Sequence, residues 1–480
     1  MGTNNVLILM SDQHAPGVMG AYGNAVAETP NLDDLAQRSV VFEAAYTPSP
    51  ICVPARASFA TGRYAHDTAN WDNAAPYTGH EAASWATRLE DAGIPVTTFG
   101  KLHYRSPEDP TGFRTQRNPL HVKNGVGDLT QLLRGDQPPT PALREVIEDA
   151  GPGESSYTRY DRDVAADAAA WLRERGAAVD PWCAVVSLVS PHYPLTAPEE
   201  FYRRFAEREL PASPGEDEAD WDMHPVTAEY RMKCCLDEPL TADTIHRAKA
   251  AYYALVSFMD EQMGLVLTAL AESGQAENTT VIYLSDHGES LGAHGIWFKS
   301  TLHETAVRVP MIYFDPRSDQ TGTRRTPASL VDIFPTVLEQ FGIPISEADA
   351  DVRGTSLAAL AEGPEDYERP IFSEYHAVHS RAASMSLRRG RWKLHYHVGA
   401  PARLFDLESD PDEMHDLAGT AENAAVLERL IAELRELVDP ELLDQRVKQN
   451  QADRMAAAGG REFVLANQMA TPYTPVPGAA

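Results

Sequence analysis

Pro50-Ile51-Cys52-Val53-Pro54-Ala55-Arg56 is the stretch on which the reading of this chain turns. A cysteine stands two residues before a proline and four before an arginine. Pro54 suits the first turn of a helix, where its missing N–H costs no hydrogen bond. Cys52 then lies at a helix N-terminus, where free N–H groups and the positive end of the helix dipole favour an anion. Arg56, a turn further on, adds a fixed positive charge and a planar donor fork suited to sulfate or phosphate oxygens. Gly62 is placed to end the helix. A small buried core residue is the simpler account of Cys52; the rest of the sequence weighs against it.

Outward from this stretch, one arrangement recurs. A short apolar run reads as a buried strand, and polar chemistry follows at its carboxyl end. Val6–Met10 leads to Ser11-Asp12-Gln13-His14, and Val96–Phe99 to Gly100-Lys101-Leu102-His103. Ala184–Val189 leads to Ser190-Pro191-His192, and Val281–Leu284 to Ser285-Asp286-His287-Gly288. Near-continuous apolar strands predict an α/β fold with a large, mostly parallel sheet covered by helices on both faces. Open α/β sheets carry their sites beyond the carboxyl ends of the strands, so these four segments should meet at one edge.

Between the strands the sequence predicts helices at Pro30–Ser39, with Thr29 as cap, at Arg162–Arg175, and from Thr241 or Asp243 to about Gly274. Gly135–Ser156 and Pro211–Asp222 read as irregular loops, either lids or surface insertions. We divide the chain into a catalytic domain over residues 1–365, a smaller α+β domain over 366–449 and an extended tail over 450–480. In the smaller domain Ile371–Tyr375, Ala383–Leu387, Trp392–His397 and Leu404–Asp406 read as short strands, followed by a helix over Ala421–Val438. The tail is placed to reach across a neighbouring subunit, so a homo-oligomer is expected.

The 480 residues carry 41 basic against 70 acidic side chains, a net charge of −29, which excludes nucleic acid and anionic membrane as natural partners. An anionic substrate must therefore be drawn by a local basic pocket. The four cysteines form neither a disulfide framework nor a zinc cluster. No basic or cleavable leader precedes Val6–Met10, which is too short to span a membrane. The protein is expected in the cytoplasm.

Asp12 and Asp286 each follow a strand and together offer hard oxygen ligands to a divalent cation. Gln13 and His287 stand beside them to complete the sphere. Oxygen ligands favour calcium; an imidazole ligand also admits manganese.

The Cys-x-Pro-x-Arg run closely resembles the signature of the type I sulfatases, of the alkaline phosphatase superfamily. The resemblance extends through the opening Asn5–Gln13, Gly100–His103, Ser285–Gly288, and the closing Leu404–Leu407 with Asp410–Glu413. It implies an alkaline-phosphatase-like α/β fold with a smaller C-terminal domain. It also implies that a maturing enzyme oxidises Cys52 to formylglycine, whose hydrate is the nucleophile. Cys52 then joins Asp12, Gln13, Asp286 and His287 around the metal. Arg56 and Lys101 compensate charge there, Lys299 binds the sulfate oxygens, His192 serves the leaving oxygen, and His103 is the base that releases sulfate. Asp72-Asn73-Ala74-Ala75 resembles a stretch of choline sulfatases, and makes Asn73 a contact to the sulfate ester. Asp12-Gln13 and Asp286-His287 depart from the Asp-Asp and Asp-Asn of many sulfatases, and are similar to choline sulfatases and phosphonate monoester hydrolases. The expected substrate is a small sulfate monoester; a phosphonate monoester or phosphodiester hydrolase with the same site is the alternative, and a catalytically silent binding homologue of the same fold is the remaining one. Gly112–Gly127 lacks the aromatics of a choline cage, leaving Trp71, Tyr77, Trp85 and Tyr104 as candidates nearby. His14, His294 and His303 are further candidates for the pocket wall, and Glu374 and His376 for the leaving group.

Overall fold

The computed structural model describes residues 5–478 apart from 177–179, 218, 220 and 470. An eight-stranded sheet runs in the spatial order Gly322–Arg324, Val40–Phe42, Met311–Phe314, Thr279–Ser285, Asn5–Asp12, Cys183–Pro191, Val96–Lys101 and Thr115–Leu120. Met311–Phe314 runs antiparallel to both neighbours; the five strands beyond it are parallel. The sheet is therefore mixed and mostly parallel, as the apolar runs predict.

Successive side chains of the Asn5–Asp12 strand feed two separate cores. Leu7 and Leu9 point to the side packed by helices Ser156–Arg175 and Ala242–Glu272. Val6, Ile8 and Met10 point to the other, with the Cys52–Thr61 and Ile333–Gln340 helices. Both faces being dry explains why the strand reads as continuously apolar and not as an alternation. Ala242–Glu272 is long and apolar enough to cross a membrane, but its most apolar stretch is mostly buried inside this core.

Capping fixes where the long helices begin. Ser155 Oγ accepts from Thr158 N at 3.0 Å, and Thr241 Oγ1 from Thr244 N at 3.1 Å. Each such cap is worth about 1 kcal/mol. The first helix thus starts at Ser156, a turn and a half before Arg162 where its apolar stripe becomes readable.

The C-terminal part carries a four-stranded antiparallel sheet, Ile371–Tyr375, Ser384–Arg389, Trp392–His397 and Arg403–Asp406. Met385, Leu387, Leu394 and Leu404 bury against Leu430, Leu434, Leu443 and Val447 of helices Ala424–Leu437 and Pro440–Ala457. Residues 450–466 are not extended. The Pro440–Ala457 helix continues through residue 457 and Gly460–Ala466 forms another. Val447 and Gln451 of the first are buried at turn spacing, and that anchor organises a stretch too polar to show a helical stripe. Among the described residues those beyond 466 form no helix, and residues 472–474 come back onto the same chain at His103, Tyr157 and Tyr193.

Candidate active site

The register of the parallel strands aligns their ends. Ser11 pairs with Ser285 and Asp12 with Pro191. Asp12, Lys101, His192 and Asp286 consequently leave one edge together. The Cys52–Thr61 helix docks across it, with Cys52 in its first turn and only 2% exposed. Gly62 ends the helix at φ 66°, as expected.

Arg56 is the hub. Its Nε donates to Asp286 Oδ2 at 2.8 Å and its Nη2 to Asp12 Oδ2 at 3.1 Å. Nη1 donates to the Lys101 carbonyl (2.6 Å) and to Ser187 Oγ (2.9 Å). Lys101 Nζ adds a second contact to Asp12 Oδ2 at 2.6 Å. Burial works to raise the Asp12 carboxyl, but Lys101 and Arg56, both in direct contact with it, hold it well below the usual range. Both Oδ2 atoms are thus engaged by cations, and both Oδ1 atoms turn inward. Asp12 Oδ1 lies 3.9 Å from Cys52 Sγ and 3.7 Å from His287 Nε2; Asp286 Oδ1 lies 3.7 Å from that same nitrogen.

His287 Nδ1 donates to the Gly288 carbonyl at 3.1 Å, which leaves Nε2 facing this centre. Burial disfavours its protonation, yet Asp286 and Cys52 push its pKa up, so this corner favours added positive charge. Among the described residues, the ligand atoms of Asp12, Cys52, Asp286 and His287 all lie within 4.8 Å of one another. Two carboxylate oxygens and one imidazole nitrogen in a buried cluster are a donor set that fits a hard or borderline divalent cation. Gln13 joins them at φ 68°, its Nε2 donating to Glu289 and its Oε1 accepting from Lys299 Nζ at 2.8 Å.

Lys299 Nζ also reaches Cys52 Sγ (3.4 Å) and His192 Nε2 (2.7 Å). His192 Nδ1 donates to the Tyr193 carbonyl (2.7 Å), so its Nε2 accepts from Lys299. Burial, helped by Lys299, pushes His192 well below the ordinary histidine range. Burial, helped by Lys101 and Arg56, does the same to His103. At Cys52, burial and Asp12 push the thiol up, but Lys101, Lys299 and His287 outweigh them and the pKa falls. Asn73 Oδ1 accepts from Val53 N at 3.0 Å and so satisfies a free donor at the helix start. Gln13, His103, Phe298 and Ser300 all hold positive φ without being glycine, strain that gathers at this edge. Gly100, at φ 90°, has no room for a Cβ, which would meet the Ser187 carbonyl at 2.2 Å.

The structure brings all the expected site residues together: Asp12, Gln13, Cys52, Arg56, Asn73, Lys101, His103, His192, Asp286, His287 and Lys299. Other candidates lie elsewhere. His14 is a buried strut between Tyr283 Oη (2.6 Å) and the Val18 carbonyl (3.0 Å). His294 stacks on His303, which faces Asp222 and Arg403. Glu374 is held between His66 (3.0 Å) and His376 (2.8 Å), away from the pocket. Trp71, Tyr77, Trp85 and Tyr104 are core residues. Aromatic lining comes instead from Tyr157, Tyr193, Tyr230, Phe298 and Tyr473, around a cavity of about 230 Å³ above Cys52. Residues 137–143 line it too; Gly135–Ser156, expected to be an irregular loop, in fact carries the Pro141–Glu148 helix, with Pro141 in its first turn. In the second expected loop Glu216 pairs with Lys249 and Asp222 with Arg403.

Three residues escaped the sequence reading. Glu289 takes Phe298 N (2.6 Å), Leu291 N (2.8 Å) and the Gln13 amide, and so aims Gln13; its place two residues after His287 was the available signal. Asp161 accepts from Val189 N and Ser190 N, both at 2.8 Å, and holds the turn carrying His192. Thr474 has no signal in sequence at all.

An α/β sheet with a buried cysteine, paired carboxylates and three cations at its carboxyl edge is suited to an enzyme that handles anionic esters. The sulfatase family model matches residues 4–343, and the model for the C-terminal part of N-sulphoglucosamine sulphohydrolase matches residues 292–439. The chain belongs to the sulfatase family and is a sulfuric ester hydrolase. It is 31% identical over 479 residues to a choline-sulfatase of Rhizobium meliloti, covering 94% of this chain and 90% of that one. It is 29% identical to arylsulfatase K of Rattus norvegicus, covering 86% and 74%. A phosphonate monoester hydrolase of Agrobacterium radiobacter has the same fold, with TM-score 0.72 and 26% identity over 90% of this chain and 95% of that one. The alkaline-phosphatase-like expectation for the fold is thereby met.

Proposed function

We propose that this sulfatase hydrolyses a small sulfate monoester at Cys52, matured to formylglycine, beside a divalent cation. The observation that carries the reading is the setting of Cys52 Sγ, 3.3 Å from His287 Nε2, 3.4 Å from Lys299 Nζ and 3.9 Å from Asp12 Oδ1. Asp12, Gln13, Asp286 and His287 would hold the cation, calcium or manganese, which supplies Lewis acidity to the nucleophile and the sulfuryl oxygens.

The chain's own residues account for the rest. Arg56, Lys101 and Lys299 exceed the two carboxylates by one charge, and a bound divalent cation would add two more, so this edge draws an anion against the acidic background of the chain. Lys299, freed from Gln13 by the incoming ester, binds a sulfuryl oxygen. The proton for the leaving oxygen resides on Lys299 and passes through His192 Nε2, since His192 itself is neutral there. His103, also neutral, takes the proton when sulfate is released. Asn73 keeps its amide N–H₂ for the ester. A cavity of about 230 Å³ is at the small end for ligand sites and supports a compact alcohol over a polymer.

A second reading, a phosphonate monoester or phosphodiester substrate, is favoured by the match to the Agrobacterium radiobacter enzyme. The same proposal has the enzyme matured and working in the cytoplasm as a homo-oligomer; its four cysteines are all free. Peptide mass spectrometry of residues 50–56 from the native host tests the nucleophile, and an unmodified thiol there overturns it. With modification verified, kcat/KM is compared for matched aryl sulfate, phenylphosphonate ester and phosphate diester. A sulfate preference is expected; a tenfold preference for either phosphorus ester moves the assignment to the second reading.

A further inference from the structure

The roof of the pocket comes from the far end of the chain. Thr471, Pro472, Tyr473 and Thr474 line the cavity opposite Cys52. Three hydrogen bonds fasten them. Thr474 Oγ1 stands 2.9 Å from His103 Nε2, the Thr474 carbonyl accepts from Tyr157 Oη at 2.7 Å, and the Pro472 carbonyl accepts from Tyr193 Oη at 3.3 Å. The Tyr473 ring meets Tyr157 edge-on at 5.2 Å and Tyr193 at 6.3 Å. Tyr193 in turn lies against His192 at 4.0 Å and Phe298 at 4.7 Å. The segment therefore touches the neighbours of both histidines, and makes direct contact with one.

That contact has a chemical consequence. His103 is buried, and among the described residues its Nδ1 has no hydrogen-bond partner while Nε2 faces the Thr474 hydroxyl. A neutral imidazole carries one N–H and one lone pair, and the partner of one nitrogen sets the state of the other. The positive field of Lys101 and Arg56 favours a lone pair, not an N–H, on the nitrogen left unpartnered.

Resting on the sulfatase reading above, we propose that Thr474 is a positioning residue for His103: its hydroxyl accepts the Nε2 proton and leaves the base lone pair on Nδ1. Residues 471–474 are then a working wall of the leaving-group pocket. The Nδ1 lone pair takes the proton of the hydroxyl left on residue 52 after the first transfer; the freed electron pair re-forms the aldehyde C=O, the carbon–oxygen bond to the sulfate breaks, and sulfate leaves with that bonding pair. The earlier transfer, which expels the alcohol, does not use this lone pair.

The test uses full-length protein with modification of Cys52 verified, and two variants. Thr474→Val keeps the shape and removes the hydroxyl; Thr474→Ser keeps the hydroxyl. On an activated aryl sulfate, Thr474→Val should lower kcat by about 10- to 100-fold, the usual cost of losing a partner that orients a functional histidine. Its kcat/KM, which reports the first transfer, should stay within about threefold, and Thr474→Ser should restore kcat. A purely structural role would lower both parameters together. An unchanged kcat, or an equal fall in kcat and kcat/KM, overturns the proposal. A second readout needs no turnover: ¹⁵N-histidine spectra of the unmodified protein, with His103 assigned by its absence in His103→Gln. Wild type should show the Nε2–H form, and Thr474→Val a changed balance; the Nδ1–H form in wild type, or no change in the variant, overturns the proposal. Wild-type protein with converted Cys52 that hydrolyses no sulfate ester would instead overturn the functional reading beneath it.

Discussion

Replacing Arg56 by Met asks how much of the fold hangs on one side chain. Met matches the stem of arginine in length and is a good helix former, so neither packing volume nor helix propensity changes much. The charge and four hydrogen bonds are lost. Asp286 Oδ2 loses its cation at 2.8 Å, and Asp12 Oδ2 loses one of two. The Lys101 carbonyl and Ser187 Oγ lose a donor. Removing one partner from a buried ion pair costs about 3–5 kcal/mol, against a total stability of about 5–15 kcal/mol for ordinary domains. Lys101→Met is the internal control. It strips one contact from Asp12, leaves Arg56 at 3.1 Å and does not touch Asp286. Its expected cost is that of one charge-assisted hydrogen bond, about 1.5–3 kcal/mol. Urea unfolding of metal-free, unmodified protein at neutral pH, followed by circular dichroism, compares the two. Arg56→Met should unfold at clearly lower urea. If it lies within about 1 kcal/mol of wild type, or costs no more than Lys101→Met, the hub reasoning is wrong.

Other expectations follow from the same geometry. A divalent cation should raise the melting temperature of wild type and leave an Asp12→Asn/Asp286→Asn double variant unmoved; occupancy at a hundredfold over Kd corresponds to about 2.7 kcal/mol, and equal shifts in both proteins would place the cation elsewhere. Burial disfavours protonated His66, but Glu374 raises its pKa, so the pair stabilises below the ordinary histidine pKa and fades as pH rises through the raised value. Glu374→Gln should therefore cost more at pH 6 than at pH 8.5, read as the shift in urea midpoint; a cost independent of pH would show that the charge on His66 is not involved. Gly62→Ala forces a Cβ to 2.7 Å from Phe334 Cβ and 2.9 Å from Val352 Cγ1 at φ 66°, and should cost about 2 kcal/mol or more in thermal unfolding; a neutral outcome would mean the loop around Val352 yields freely.

Much of the site was legible because each chemical group follows its own strand. Val6–Met10, Val96–Phe99, Ala184–Val189 and Val281–Leu284 are apolar for the same reason that they are central, and a parallel sheet delivers the residues after them to one edge. Asp12, Lys101, His192 and Asp286 could be placed without any coordinate. The pocket wall was not legible, because no period or spacing ties Tyr157, Tyr193 and Phe298 to Tyr473. Their meeting depends on how the last residues pack, which is a long-range matter. Trp71 and Trp85 were close to the nucleophile in sequence and proved to be core, since neighbours along a helix or loop need not share a face. Helix Pro440–Ala457 escaped notice because its contact to the body is narrow, through residues such as Val447 and Gln451, and the rest of its surface is polar.

The strap of residues 471–474 also bears on the order of events in the life of the chain. Cys52 is only 2% exposed beneath a narrow cavity, so no protein-sized catalyst can reach it in the finished fold. Any enzyme that oxidises Cys52 must therefore act while the edge of the sheet is still open. The chain provides that interval. Residue 52 emerges early, and residues 471–474 follow tens of seconds later at synthesis rates of about 5–20 residues per second. If Cys52 is matured as proposed, docking of Thr474 on His103 would close that window as the pocket is completed.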